Sequence, residues 1–250
     1  MTLKLWAKDG SHDPDEMIQA AQAVGVTRLI CVGCTLEDSE RAIEFVATRP
    51  NAWASIGIHP HEARRYVGDP AALEAFATLA TKPKVVAVGE CGLDYFYTHS
   101  SKEDQEQILH VQLKLAQEYN LPMIFHVREA FQDFWPIFDQ YPGTRGVVHS
   151  FTATKTELEQ IIERGLYVGL NGITTFMKQS AQLAAVKAVP LENLLLETDA
   201  PFLTPVPYRG TICEPKHVRA TAEFLAALRG ETLEEIAEHS SRNAQKLFGL

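Results

Sequence analysis

Short apolar segments rich in β-branched residues alternate along this chain with longer amphipathic segments. Seven apolar segments predict β-strands, at residues 27–34, 52–58, 84–91, 122–127, 145–150, 166–172 and 193–199. Their nearly continuous hydrophobicity is typical of parallel strands that are covered on both faces. Amphipathic patterns predict helices at residues 14–24, 36–49, 103–120, 154–165, 215–228 and 231–248. Strands that alternate with helices predict βα units and a parallel sheet.

The number of βα units favours a closed barrel. A weaker apolar stretch at residues 2–7 adds a candidate first strand to the seven strong ones. We therefore expect an α/β fold, a (βα)8 TIM barrel with an atypical first strand and an extra C-terminal helix. An open doubly wound sheet is the alternative, disfavoured because no GxGxxG fingerprint follows the first strands. No linker or change in composition interrupts the 250 residues, so one domain over residues 1–250 is expected.

Composition limits the classes of function. The chain has 23 basic and 32 acidic residues, a formal charge of −9. A nucleic-acid substrate would thus have to be held by a local basic patch or by bound cations.

The four cysteines are too few and too irregularly spaced for a disulfide framework, and Cys31 and Cys34 are expected to be small core residues. Without an apolar signal region or a membrane-length apolar stretch, a cytoplasmic protein is expected. The oligomeric state stays open, with a monomer favoured.

Side chains suited to metal binding or acid–base chemistry stand at the C-terminal ends of five predicted strands. They are His59, Glu90, His126, His149 and Asp199. Each has a simpler explanation alone, because a histidine at a strand end is often a packing residue and an aspartate often caps a turn. Together they form a pattern, because the C-terminal ends of barrel strands face one pocket. The sequence therefore predicts a joint metal site.

The ligand types narrow the choice of metal. Imidazoles and carboxylates without thiolates suit Mg²⁺, Mn²⁺ or Zn²⁺. Two carboxylates also permit a bridged pair of cations, which in known two-metal sites are about 3.5–4 Å apart and can hold a phosphate while activating water. We expect divalent cations as cofactors, with Mg²⁺ favoured over Mn²⁺ or Zn²⁺.

Six motifs resemble those of TatD-family metal-dependent deoxyribonucleases. They are GIHPHEA (57–63), VGECGLDY (88–95), PMIFHVREA (122–130), VVHSFTA (147–153), GLNGITTF (169–176) and LLLETDAPFLTP (195–206). The resemblance implies an amidohydrolase-type TIM barrel with divalent metals at its C-terminal mouth. It also implies hydrolysis of DNA phosphodiester bonds, often by 3′→5′ exonuclease action on single strands, with RNA as a further candidate substrate.

The same resemblance implies roles for the residues at the strand ends. Glu90 would bridge the metals, and His126 and His149 would complete one metal position. Asp199 would bind the other metal, or orient and deprotonate the attacking water.

Substrate contacts follow from the same motifs. His59 would contact the scissile phosphate, and His61, in the same HPH motif, is a further candidate for binding the substrate. Arg128, two residues after His126, would help to hold the substrate.

The chain departs from the family pattern near its start. Most relatives begin with a strand that ends in His-x-His, whereas the first 27 residues here contain a single histidine, His12. Losing two neutral donors leaves one cation position short of ligands, which Mg²⁺ tolerates because it commonly retains waters. We therefore expect one firm metal site at Glu90, His126 and His149 and one weak site near Asp199.

Two other functions remain open at the level of sequence. An amidohydrolase acting on a small amide, lactone or ester would keep the barrel and the metals. Such enzymes often carry a bridging lysine at a strand end, where this chain has Glu90. A degenerate barrel without catalytic activity is the third interpretation, and the missing His-x-His is its only support.

Overall fold

The computed structural model describes residues 13–250, which form two compact units. Residues 28–146 form the first unit, and the described part of the second comprises residues 13–27 and 147–250. The predicted first strand at residues 2–7 and His12 lie outside the described residues. The prediction of a single domain over residues 1–250 stays a prediction.

Strands and helices alternate through both units. The strands are β1 (Leu29–Val32), β2 (Ala52–Ile56), β3 (Val85–Asp94), β4 (Met123–Arg128), β5 (Gly146–Val148), β6 (Tyr167–Leu170) and β7 (Leu194–Leu196). The helices are α1 (Pro14–Ala23), α2 (Leu36–Ala47), α3 (Pro70–Thr78), α4 (Lys102–Glu118), α5 (Phe131–Phe138), α6 (Lys155–Glu163), α7 (Ser180–Ala188), α8 (Val218–Arg229) and α9 (Leu233–Phe248).

Every strand pair within a unit is parallel and follows the chain order. In the first unit β1 pairs with β2, β2 with β3, and β3 with β4. In the second unit β5 pairs with β6, and β6 with β7. All seven predicted strands are present, with bounds shifted by a few residues. β3 extends beyond its predicted C-terminal end, since it runs to Asp94 and not to Cys91. Residues 92–94 remain in the strand because they pair with residues 126–128 of β4.

The helix ends follow the capping chemistry of the sequence. The Thr35 hydroxyl accepts the Asp38 amide proton at the start of α2, and Thr154 and Glu157 form a capping box at the start of α6. All six predicted helices are present. Three short helices, α3, α5 and α7, were not predicted. α5 is only eight residues long and contains Pro136, which ordinarily argues against a helix.

Each unit buries its own apolar side chains between strands and helices. In the first unit Ile56, Phe125 and Leu113 are fully buried, and in the second unit Val168 and Leu225 are. Burying a side chain of this size contributes about 1.5–3 kcal/mol, so these contacts fix the strands whose ends carry the site residues. Among the described residues, no helix combines the length and apolar character needed to cross a membrane.

Candidate metal sites

An irregularity in β3 places Glu90. Val88 pairs with Met123 and Cys91 pairs with Phe125, so β3 holds one more residue than β4 over this interval. Such a bulge redirects a side chain next to a site. Glycines on both sides make it sterically feasible, since a Cβ on Gly89 would lie 2.5 Å from the Ile124 carbonyl oxygen.

Gly92 is expected to be essential for folding of this strand pair. Its φ of +143° is unfavourable for a residue with a side chain, and a Cβ there would collide with the His126 carbonyl oxygen. Gly143 is a matched control, with a φ of +82° and open space around it. Gly143→Ala should cost about 1–2 kcal/mol of unfolding free energy, and Gly92→Ala about 1–3 kcal/mol more from the collision. Urea unfolding measures both, and equal losses would contradict the close strand approach.

The imidazole of His126 lies between two carboxylates in the first unit. Its Nδ1 is 2.9 Å from Glu90 Oε1, and its Nε2 is 2.8 Å from Asp94 Oδ2. An ionised carboxylate can only accept, so a neutral ring donates either from Nδ1 to Glu90 or from Nε2 to Asp94. Metal binding at Nδ1 requires the second tautomer, with the proton on Nε2. Nδ1 and the Glu90 oxygen then face each other as two electron-pair donors once the ring is neutral. A cation satisfies both, and a carboxylate that orients a ligating histidine is the usual outer partner of such sites.

Asp94 is a buried carboxylate that accepts several hydrogen bonds. Its side chain is about 1% exposed and also accepts from His61 Nε2 at 3.0 Å and from the amides of Phe96 and Tyr97 at 3.0 and 3.1 Å. Burial alone raises the pKa of Asp94. The hydrogen bonds from His126, His61 and the Tyr97 amide outweigh burial and hold that pKa far below its ordinary value.

His59 presents a hydrogen-bond donor to the cluster. Its Nδ1 accepts the His61 amide proton at 3.1 Å, so a neutral ring carries its proton on Nε2. Nε2 lies 3.3 Å from Glu90 Oε1. Burial lowers the pKa of His59, although the Glu90 carboxylate acts in the opposite direction. His59, Glu90 and His126 are close enough to share one cation, but the protonated Nε2 of His59 is suited to donating a hydrogen bond.

Two buried glutamines of α4 hold the backbone on which these residues stand. The Gln105 amide group accepts from the Asp94 amide at 2.8 Å and donates to the Asp94 carbonyl at 3.0 Å. Gln112 makes the same pair of bonds, at 2.8 and 3.0 Å, with Ile58, the residue before His59. The strand ends are therefore fixed by the main chain as well as by side-chain packing.

His61 and Arg128 are half-buried residues of the same unit. His61 contacts the His59 ring edge-on, with 4.4 Å between the ring centroids. The guanidinium carbon of Arg128 lies 3.9 Å above the centre of the Phe96 ring. Both residues stand next to exposed aromatic side chains, and their predicted role in substrate binding stays a prediction.

A second cluster lies in the second unit. His149 Nδ1 is 3.2 Å from Glu197 Oε1 and 3.5 Å from Asp199 Oδ1, and the three side chains could hold one cation. The Ser150 amide donates to Glu197. A Cβ on Gly169 would lie 2.6 Å from Glu197 Oε2, so the glycine leaves room for this carboxylate. His149 thus lies beside two carboxylates of its own unit, and its predicted grouping with Glu90 and His126 stays a prediction.

Both donor sets fit a divalent cation. Each cluster brings imidazole nitrogen and carboxylate oxygen within 4.8 Å of one another, the ligand types that Mg²⁺, Mn²⁺ and Zn²⁺ accept.

Cys34, after β1, is half-buried, and its thiol donates to Glu90 Oε2 at 3.8 Å. The expectation that Cys34 is a core residue is therefore wrong, whereas Cys31 is buried, which raises its thiol pKa to about 11.

The sequence interpretation missed Asp94 and Glu197 as members of these clusters. Both stand in the motifs that carry the resemblance, and both had a positional signal. Side chains two or four residues apart in a strand point to the same face. Asp94 follows Glu90 by four residues, and Glu197 precedes Asp199 by two. His217 is buried outside the two clusters, where its Nδ1 accepts the Glu214 amide proton at 2.9 Å.

Histidine–carboxylate clusters at and after the ends of parallel strands are characteristic of metal-dependent hydrolases. The family model of TatD related DNases matches residues 4–249 of this chain. The chain therefore belongs to the TatD-related DNase family.

Individual relatives agree with this classification. The chain is 35% identical to the 3′-5′ ssDNA/RNA exonuclease TatD of Citrobacter rodentium, over 95% of this chain and 92% of the relative. It is 36% identical to the uncharacterized metal-dependent hydrolase YabD of Bacillus subtilis, over 97% of this chain and 95% of the relative. The crystal structure of YJJV, a TatD homologue from Escherichia coli, superposes with a TM-score of 0.90 at 30% identity, covering 98% of this chain and 95% of that one. The predicted α/β fold class is confirmed.

Proposed function

We propose that this protein is a metal-dependent nuclease that shortens single-stranded DNA, and RNA as a second substrate, from the 3′ end. The observation that carries the proposal is the His126 ring, held by Asp94 so that its Nδ1 faces Glu90 Oε1 at 2.9 Å. Sequence relatives named 3′-5′ ssDNA/RNA exonucleases support the choice of substrate.

Each cluster has residues suited to holding a divalent cation. Glu90 and His126 would hold one in the first unit, and His149, Glu197 and Asp199 would hold another in the second. Such cations polarise phosphate oxygens and lower the pKa of water. We expect Mg²⁺ as the ion, and a monomer located in the cytoplasm.

The remaining side chains position the substrate and move protons. His59 would donate its Nε2 proton in a hydrogen bond to a phosphate oxygen, which stabilises the negative charge that develops there. Asp199 would accept the proton of the attacking water as a general base. Its positive φ of 58° holds the carboxylate in a backbone conformation that aspartate tolerates better than most residues.

Hydrolysis of a small amide, lactone or ester is less well supported. Solved amidohydrolases resemble this chain at about the level of fold alone, as with one from Burkholderia multivorans at 13% identity and a TM-score of 0.62. A non-catalytic barrel is disfavoured because both clusters keep a histidine beside carboxylates.

The proposal is tested with purified protein, a divalent cation and single-stranded DNA labelled at its 5′ end. We expect progressive shortening that ceases with a chelator and returns with Mg²⁺ or Mn²⁺. Glu90→Gln removes the central charge of the first cluster at constant size and should abolish the activity. Glu118→Gln, an exposed position in the last turn of α4, is the matched control and should keep it.

The outcomes separate the three functions. Cleavage by the purified Glu90→Gln protein at the wild-type rate would contradict the assignment of this site. Bound metal without cleavage of DNA or RNA would favour a small substrate. Failure to bind any divalent cation would favour the non-catalytic barrel.

A further inference from the structure

Two aromatic side chains stand exposed side by side directly after β3. Phe96 is 49% exposed and Tyr97 is 43% exposed. Scattered exposed apolar residues are ordinary, but adjacent large rings beside a candidate site indicate a binding surface. We call Phe96 and Tyr97, with the Arg128 guanidinium over Phe96, the ring platform.

The rings of the platform are held in place before any ligand binds. Asp94 Oδ1 accepts the amide protons of both Phe96 and Tyr97 at 3.0 and 3.1 Å, which fixes the backbone. The two rings meet edge to face at 4.7 Å and 85°. Tyr97 also stacks on His99, with 5.6 Å between centroids and 27° between planes. A surface ordered in advance loses less conformational freedom on binding.

The platform is continuous with the first cluster. The His61 ring lies 5.3 Å from Tyr97 on one side and 4.4 Å from His59 on the other. A nucleotide joined to a phosphate at His59 would therefore have its base within reach of these rings. The same Asp94 that orients His126 also fixes the platform through its other oxygen.

The chemistry of the platform selects its ligand. Every nucleobase has a π-face that stacks on an aromatic ring, so such a surface binds single strands without reading sequence. The Arg128 guanidinium, 3.9 Å from the centre of the Phe96 ring, adds positive charge for the phosphate backbone. Because the chain has a net charge of −9, its overall charge does not attract a nucleic acid, and stacking on the rings supplies attraction to the bases instead.

We propose that Phe96, Tyr97 and Arg128 form a stacking subsite for the bases of a single-stranded nucleic-acid substrate. This inference rests on the proposed nuclease function. In this proposal the segment after β3 binds unpaired bases, and the metal clusters bind the phosphodiester group. A double-stranded substrate, with its bases already stacked, gains nothing from the platform.

The test compares two oligonucleotides labelled at the 5′ end. One is ordinary single-stranded DNA, and the other carries tetrahydrofuran abasic residues throughout its 3′ portion. Phe96→Ala is expected to raise KM for the ordinary strand about 5- to 150-fold, the effect of losing one stacked base. For the abasic strand, KM should be unchanged by the substitution. Tyr119→Ala, which removes a 37% exposed ring at the end of α4, is the control and should leave both values unaltered.

Failure of this inference is distinguishable from failure of the nuclease assignment. If the wild-type protein degrades neither strand, the nuclease assignment fails, and the stacking subsite fails with it. If the wild type degrades DNA and Phe96→Ala leaves KM unchanged, only the stacking subsite is overturned. If KM rises equally on both strands, Phe96 has a structural role and the subsite is again overturned. Mn²⁺ binding to Phe96→Ala, measured by calorimetry, should match the wild type, since the substitution leaves the metal ligands in place.

Discussion

Asp94→Asn is expected to lower the affinity of the first cluster for Mn²⁺ about 10- to 100-fold, the usual effect of losing an outer partner of a metal-ligating histidine. Asp94 Oδ1 accepts hydrogen bonds from two backbone amides, and Asp94 Oδ2 accepts hydrogen bonds from Nε2 of His61 and of His126. An asparagine has one accepting oxygen, which the backbone amides would retain. Its NH₂ group would then face His126 Nε2 and favour the tautomer protonated on Nδ1, the nitrogen that faces Glu90. A proton on that nitrogen blocks the metal.

Titration calorimetry with Mn²⁺ measures this effect without relying on catalysis. Asp133→Asn is the matched control, since the Asp133 side chain is 45% exposed and its partners Lys102 and Tyr95 belong to neither cluster. Circular dichroism establishes that both variants are folded. An Asp94→Asn protein that is folded and binds Mn²⁺ as tightly as the wild type would refute the tautomer argument. Asp94 itself adds no pH dependence to Mn²⁺ binding near neutral pH, because its pKa lies far below the ordinary value.

The sequence predicts the elements of this fold well because its strands are apolar and its helices are bounded by capping residues. Thr35 and the Thr154–Glu157 pair accept from backbone amides that have no partner within the helix, and these local bonds can be predicted from the sequence. The eighth strand at residues 2–7 stays a prediction. Helices α3 and α7 are short and carry few polar residues, so their period gives a weak signal.

The candidate site was predictable in its residue types but not in its connections. Glu90, His126 and His149 follow from their position at strand ends. The bond from His126 to Asp94 depends on an extra residue in β3 between Val88 and Cys91, which a regular strand pattern does not contain. The roles of the buried Gln105 and Gln112 are equally hard to predict from the sequence, because polar residues within a helix ordinarily predict a solvated face. Long-range hydrogen bonds of this kind require the folded backbone.

Glu197 changes what is expected of the second cluster. The absence of His-x-His near the start predicts a weak cation position near Asp199, short of protein ligands. The structure places Glu197 Oε1 at 3.2 Å from His149 Nδ1, and with Asp199 this gives three candidate ligands. We therefore propose that the second cluster binds a cation without needing substrate, so that the wild-type protein binds one Mn²⁺ in each cluster.

Glu197→Gln is expected to weaken the cation position of the second cluster by at least about tenfold, since it removes both a ligand charge and an acceptor. Glu197 Oε1 accepts the Ser150 amide proton and also lies 3.2 Å from His149 Nδ1. The glutamine oxygen can take this position, so the fold is retained while the ligand charge is lost. Electron paramagnetic resonance of Mn²⁺ counts free and bound ions and should show one tight ion instead of two. Glu192→Gln, exposed before β7, should keep both. If Glu197→Gln binds two Mn²⁺ ions tightly, Glu197 is not a ligand. If the wild-type protein binds only one Mn²⁺ ion tightly, the second site is weak, as the missing His-x-His predicts. The two variants therefore separate the clusters, because Asp94→Asn acts on the first and Glu197→Gln on the second.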